Sequence, residues 1–204
     1  MFALVESGTI TQFPKGNKGI TIGDNQYPKT IYSLWTEAER NAIGIYTVTI
    51  DNTNKKNEEF WINTDITYTF TGSAVTGSYG TATAKRLNDE NAVDEDGNNV
   101  LDADGNQVIN YGLKTQFKNE FNAEAAGMLS RTDWYVIKAA DVTDYNVPSN
   151  IATYRAAVRT KVNAMETSID NCSDVDALIT LLTYTTDSEG VISRPLGEFP
   201  KEVV

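Results

Sequence analysis

The sequence predicts an α+β protein with a β-rich N-terminal half built from hairpins, a helical C-terminal half and an extended C-terminal arm. Three observations carry this. Period-two alternation and glycine-centred turn signals dominate up to about residue 86. Apolar residues at three-to-four spacing dominate residues 113–183. Gly190, Pro195, Gly197 and Pro200 then interrupt any regular helix. Charge separates the halves. Residues 87–112 hold seven acids (Asp89, Glu90, Asp94, Glu95, Asp96, Asp102, Asp104) and no base, in a chain of net charge −11. Residues 1–86 balance eight bases against eight acids. The expected organisation is a β-rich domain (1–86), an acidic β-hairpin connector (87–112), a helical domain (113–183) and an arm (184–204).

Phe2–Val5 and Thr9–Phe13 are β-prone runs divided by Ser7-Gly8, and Gly19–Ile22 is a third, closed by Gly23-Asp24-Asn25. One helix interrupts them. Thr36 is its cap, Glu39 the capping-box partner three residues on, and Gly44 the left-handed stop. Ile45–Ile50 resumes a strand. Phe60–Phe70 is the clearest strand: Phe60, Ile62, Ile66, Tyr68 and Phe70 form one face and Trp61, Asn63, Asp65, Thr67 and Thr69 the other. The first face is expected to be buried. Gly72–Ser78 reads as a hairpin loop, with Ser78–Ala84 returning antiparallel. Asp96-Gly97 and Asp104-Gly105 favour type I′ turns, with Asn98–Leu101 as the strand between them and Val108–Tyr111 as the next. Leu113, Phe117, Phe121, Ala125 and Met128 place an amphipathic helix over 113–130. Thr132–Lys138, with a cap at Thr132, reads as a short helix or equally a strand. Val147-Pro148-Ser149-Asn150 starts a helix whose stripe is Ile151, Tyr154, Val158, Val162, Met165 and Ile169. Ser173 with Asp176 is the capping pair of a last helix through Leu182.

Composition excludes several functions. The chain has no histidine, so Ser-His-Asp, Cys-His and histidine-ligated metal chemistry are ruled out. Cys172 is the one cysteine and forms no intrachain disulfide; it reads as a small buried residue. The net charge argues against phosphate-based binding of nucleic acid, and no apolar run approaches a membrane span. Met1–Glu6 lacks the basic and long apolar regions of a signal peptide, so synthesis in a reducing cytoplasm is expected. The acidic stretch fails the EF-hand register. Counted from Gly97, Ala92 and Ala103 occupy the end-ligand positions; counted from Gly105, Val100 and Tyr111 do. Solvated turns are expected there, with weak calcium binding at 94–106 left open. Paired carboxylates among 28 acids single out no glycosidase pair. No catalytic residue, resident metal or cofactor is expected. Tyr68, Tyr154 and Trp134 fall in core-patterned stripes. Trp61 lies on the polar face of its strand, where an exposed tryptophan suits an interface.

Two segments carry a resemblance. One is Trp35-Thr36-Glu37-Ala38-Glu39-Arg40-Asn41-Ala42-Ile43-Gly44-Ile45-Tyr46-Thr47-Val48. The other is Ala126-Gly127-Met128-Leu129-Ser130-Arg131-Thr132-Asp133-Trp134-Tyr135-Val136-Ile137-Lys138, followed by Pro148 and Thr153-Tyr154-Arg155-Ala156-Ala157-Val158-Arg159. With the opening Met1–Glu6, these resemble small tailed-bacteriophage tail proteins of the tail-fibre and tail-fibre-assembly kind, over roughly a third of the chain. The acidic middle, like the rest of residues 51–112, matches no such pattern. The resemblance implies a structural tail component (fibre, fibre attachment or baseplate) made in the host cytoplasm and located in the virion. It would act by contact with other tail proteins, as a homo-oligomer within the assembly. A fibre-assembly chaperone and a host-receptor or glycan-binding module are the alternatives. Trp61, Trp134, Tyr135, Pro195 and Phe199 are the candidate interface residues.

Overall fold

A computed structural model describes residues 1–202. The chain divides after Thr83 into two compact units. The acidic stretch and the arm therefore both belong to the second unit. A two-residue strand, β9 (Thr83–Ala84), spans the junction.

In the first unit the β-prone runs become β1 (Phe2–Glu6), β2 (Thr9–Gln12), β3 (Ile20–Ile22), β4 (Asn25–Tyr27), β5 (Ile45–Asp51), β6 (Trp61–Ile62), β7 (Ile66–Phe70) and β8 (Val75–Tyr79). Five of them form one sheet in the order β2-β1-β5-β8-β7. Its pairs are antiparallel except β5 with β8. The sheet curls so far that its edge strands β2 and β7 approach each other, and Phe13 packs on Tyr68 beside that closure, ring centroids 4.6 Å apart. Strand alternation sorts β1 between two apolar clusters. Ala3 and Val5 join Val48 and Val75 inside the curl, with Ile10, Tyr46, Tyr68 and Phe70 around them. Leu4 packs on the other face with Ile20, Ile31 and Ile45. That second cluster is covered by the β3–β4 hairpin, the short helix α1 (Ile31–Leu34), and Trp35 and Ile43, which flank α2 (Glu37–Ala42). α2 carries the predicted capping box: Thr36 Oγ1 accepts from Glu39 N, and Glu39 Oε2 accepts from Thr36 N at 2.7 Å. Gly44 follows it with φ 84°.

The Phe60–Phe70 strand is broken. The Asn63 side chain bonds both the N–H and the carbonyl of Lys56, and Thr64 Oγ1 accepts from Gly80 N. These bonds take residues 63–65 out of the ladder. The alternation survives in β7 and at Phe60, which is buried as expected, but not between them: Ile62 is 59% exposed, whereas Trp61 is half-buried. The return strand also starts earlier than expected, at Val75, because Gly77 belongs inside β8. It faces Tyr68 across the ladder, and a Cβ there would stand 2.7 Å from that ring.

In the second unit the helices are α3 (Leu113–Ser130), α4 (Asp133–Asp141), α5 (Ser149–Asp170) and α6 (Val175–Leu182). The ambiguous 132–138 segment is thus helical. α3 and α5 pack along the predicted stripes, burying Leu113, Phe117, Phe121 and Ala125 against Ile151, Tyr154, Val158, Val162, Met165 and Ile169. Each buried leucine, phenylalanine, isoleucine, valine or methionine among them contributes about 1.5–3 kcal/mol by leaving water. Lys118 pairs with Asp170 at 2.8 Å, and Asn122 with Glu166 at 2.6 Å. The α6 cap is Asp174, one residue after the predicted Ser173. Its carboxylate accepts from Ala177 N, while Ser173 donates to the same carboxylate.

The acidic stretch folds before α3. β10 (Glu90–Asn91) pairs with β11 (Ile109–Asn110), and isolated bridges join Val93 to Asn99 and Leu101 to Gln107. These three pairings repeat at intervals of eight residues. So do three backbone bonds that close on themselves. Ala92 donates to Val108, Val108 to Val100, and Val100 to Ala92, all within 2.8–2.9 Å. The result is a triangle of hairpins with a local pseudo-threefold axis. The type I′ expectation is corrected. Gly97 and Gly105 have φ 83°, while Asp96 and Asp104 are not left-handed. Each turn is a type I turn closed by a left-handed glycine, its N–H donating to Asp94 or Asp102 O.

Candidate interaction surfaces

α4 is placed by one buried cation. Arg155 on α5 is 7% exposed and reaches the α3–α4 corner. Its guanidinium donates to Leu129 O (2.8 Å) and to Thr132 Oγ1 (2.7 Å), and pairs with Asp133 Oδ1 (2.7 Å). Thr132, itself buried, donates to Leu129 O. It therefore does not cap α4 with its side chain, contrary to the sequence expectation, because its hydroxyl is taken up in this clamp. The Thr132-Asp133 and Arg155 positions of the second resemblance segment meet here.

The clamp presents an apolar helix outward. α4 buries none of its residues. Trp134 is 51% exposed, which corrects its core pattern, and Tyr135 is half-buried. Their rings stack with centroids 3.7 Å apart. Ile137, three residues on and so on the same face as Trp134, is 61% exposed; Val136 and Val142 are exposed as well. Lys138 Nζ lies 4.4 Å from the Tyr145 ring centroid and 6.0 Å from that of Trp134.

The remaining candidates separate. Trp61, in the first unit, is covered by Lys56, whose Nζ sits 3.5 Å from the ring centroid. It is not the open tryptophan that the strand pattern implied, because the chain breaks at 63–65. Pro195 and Phe199 lie on the arm, which is non-helical as expected but docked on its own unit. β12 (Thr185–Thr186) and β13 (Ile192–Ser193) form a hairpin. Leu196, 3% exposed, then seats against the helices, its N–H donating to Leu181 O and its carbonyl accepting from Lys161 Nζ at 2.6 Å. Arg194 lies near the rings of Phe121 and Tyr184 and pairs with Glu198 at 2.9 Å. Arg131 pairs with Glu202 at 2.6 Å. Pro195 is exposed and Phe199 half-buried. What holds the arm is this chain's own helices.

Electrostatics at these places follow from local bonds. Asp94 Oδ1 accepts from the N–H groups of Asn98 and Asp96, and Asp102 Oδ1 from those of Asn106 and Asp104. These backbone donors hold both carboxyls below the usual aspartate range. No three acids or cysteines among the described residues converge as a metal site. Burial raises the Cys172 thiol and the Tyr154 hydroxyl above their ordinary values. The Asp170 carboxylate raises Lys118. Cys172 is buried as expected, its thiol 3.5 Å from Ser168 O.

Sequence reasoning missed the threefold hairpin element, although an eight-residue repeat signals it: Val93-Asp94-Glu95-Asp96-Gly97-Asn98-Asn99-Val100, then Leu101-Asp102-Ala103-Asp104-Gly105-Asn106-Gln107-Val108. It also missed the role of Arg155, which entered only as one position of the second resemblance segment. No family model, curated protein or solved structure matches the chain.

Proposed function

We propose that this chain is a structural component of a bacteriophage tail, in a fibre, a fibre attachment or the baseplate. It acts by protein–protein contact rather than by catalysis, in the virion and within a homo-oligomeric assembly. The observation that carries this reading is the surface of α4. Arg155 spends three bonds on holding a helix whose Trp134, Ile137 and Val136 lie in water. Aromatic anchors with exposed aliphatic neighbours are what the centres of protein interfaces use. The resemblance of the 126–159 segment to tail proteins supports the same assignment. Neighbouring tail subunits would bury Trp134 and Tyr135, while Pro195 offers a secondary contact on the docked arm.

Peptide mass analysis of purified mature virions tests this. Stoichiometric presence of the chain supports the subunit. Absence from virions, with association to unassembled fibre protein, would replace it by the assembly chaperone. Trp134→Ala should lower incorporation into particles while leaving the melting temperature of the free chain unchanged, because the ring contributes little to its own core.

A further inference from the structure

A groove of about 440 Å³ lies in the first unit, along residues 12–20 and against Tyr32. That volume falls within the usual span of small-ligand pockets, roughly 300–1,000 Å³. Its lining has a specific chemistry. Lys15 and Lys18 are its charged groups, with no acid beside them, in a chain of net charge −11. Neither lysine has a carboxylate partner among the described residues. Gln12 and Asn17, the two lining residues with side-chain amides, complete its polar part. Phe13 supplies an aromatic face that is 40% exposed, fixed from behind by Tyr68. Tyr32 is held by Phe2, ring centroids 4.9 Å apart, and its buried hydroxyl has no hydrogen-bond partner among the described residues.

Each part narrows the ligand. An apolar guest would make no use of the two lysines or the two amides. A bare inorganic anion would make no use of the phenyl face or the amides. A pyranose bearing a carboxylate uses all three: hydroxyls for amides, one C–H face for an aromatic ring, and charge for lysine. We propose that this groove binds an acidic sugar residue. Lys15 and Lys18 take its carboxylate, Gln12 and Asn17 its hydroxyls, and Phe13 one face of its ring. The site lies in the unit opposite in sequence to α4, and its binding does not depend on the chain being retained in virions.

The test is calorimetric titration of the full chain with trigalacturonate, with its fully methyl-esterified form and with inorganic phosphate. Trigalacturonate is expected to bind saturably, with the ester and phosphate each at least about tenfold weaker, the loss expected when a charge-assisted bond or a ring contact is missing. The Lys15→Ala/Lys18→Ala double variant should lose about tenfold or more with its melting temperature unchanged, and Asn17→Ala should weaken binding of the sugar but not of phosphate. Trp134→Ala should bind as the parent does. Equal binding of the ester, equal binding of phosphate, indifference to the double substitution, or no binding of trigalacturonate would each overturn the proposal. Absence of the chain from virions would leave it standing.

Discussion

Arg155 shows how a single side chain decides an arrangement that its neighbours in sequence do not reveal. A guanidinium offers a planar fork of donors, and here the fork meets a carbonyl, a buried hydroxyl and a carboxylate on one corner. Truncation would take the donor from the buried Thr132 hydroxyl and the cation from the Asp133 carboxylate, while the Leu129 carbonyl would keep only its bonds from Thr132. Arg155→Ala should therefore destabilise the second unit by about 3 kcal/mol in urea denaturation. Arg155→Lys should recover only part of this, because one ammonium cannot span three acceptors. If Arg155→Ala unfolds at the parent's urea midpoint, the clamp is not structural. Asp94 and Asp102 make a pH prediction. Both carboxyls are held below the usual range by backbone N–H bonds, so the folded pKa lies under the unfolded one. Their contribution is present above the ordinary aspartate range and is lost as pH falls through the depressed folded values. Carboxyl-carbon NMR should show both titrating below the ordinary aspartate range on acidification, with Gly97 and Gly105 amide protection falling in step. Titration of both within the ordinary aspartate range would contradict it.

Elements expose where local preference was sufficient and where it was overridden. α3 and α5 follow directly from their apolar stripes, since burying one face of a long helix fixes which residues lie inside. The Phe60–Phe70 run had an equally clear period, yet Asn63 and Thr64 divert it through side-chain bonds to backbone some seven and sixteen residues away in sequence. Such bonds leave no trace in a periodicity. β8 adds a packing demand. Gly77 lies under the Tyr68 ring, and Gly77→Ala should cost about 1–3 kcal/mol by overpacking. The arm illustrates a different limit. Its prolines and glycines correctly exclude helix, but composition does not say what an irregular segment touches. Leu196→Ala should cost about 2–5 kcal/mol, as for other buried leucines, because the arm is part of the helical core. A loss below about 0.5 kcal/mol in either variant would show the contact to be incidental.

The whole molecule is two units, each with its own core, so its unfolding should resolve into two calorimetric transitions. Gly77→Ala should move one of them and Arg155→Ala the other. A single transition that shifts with both variants would show the units to unfold together. The proposed functions divide in the same way. Contact with neighbouring tail subunits is assigned to the unit carrying α4, and recognition of an acidic sugar to the unit carrying the curled sheet. The charge of −11 fits this division. The seven acids of residues 87–112 lie in the second unit, while the first carries six bases against eight acids.

By itself, the sequence determined the α+β class, the two long helices with their buried stripes, the capping box of α2, the positions of most turns and the loss of helix after Leu182. These depend on residues close in the chain, whose propensities and periods act before any long-range contact forms. It also determined that no histidine chemistry is available. Only the tertiary structure decided that the acidic turns close into a triangle, that Trp61 lies under Lys56 while Trp134 stands in water, that Arg155 is a clamp and that the arm folds back. Apart from the cover of Trp61, which comes from Lys56 five residues earlier, these are set by hydrogen bonds or packing contacts between residues far apart in sequence. Their outcome is fixed by which partner the fold brings within about 3 Å, and that distance is not encoded in either partner alone.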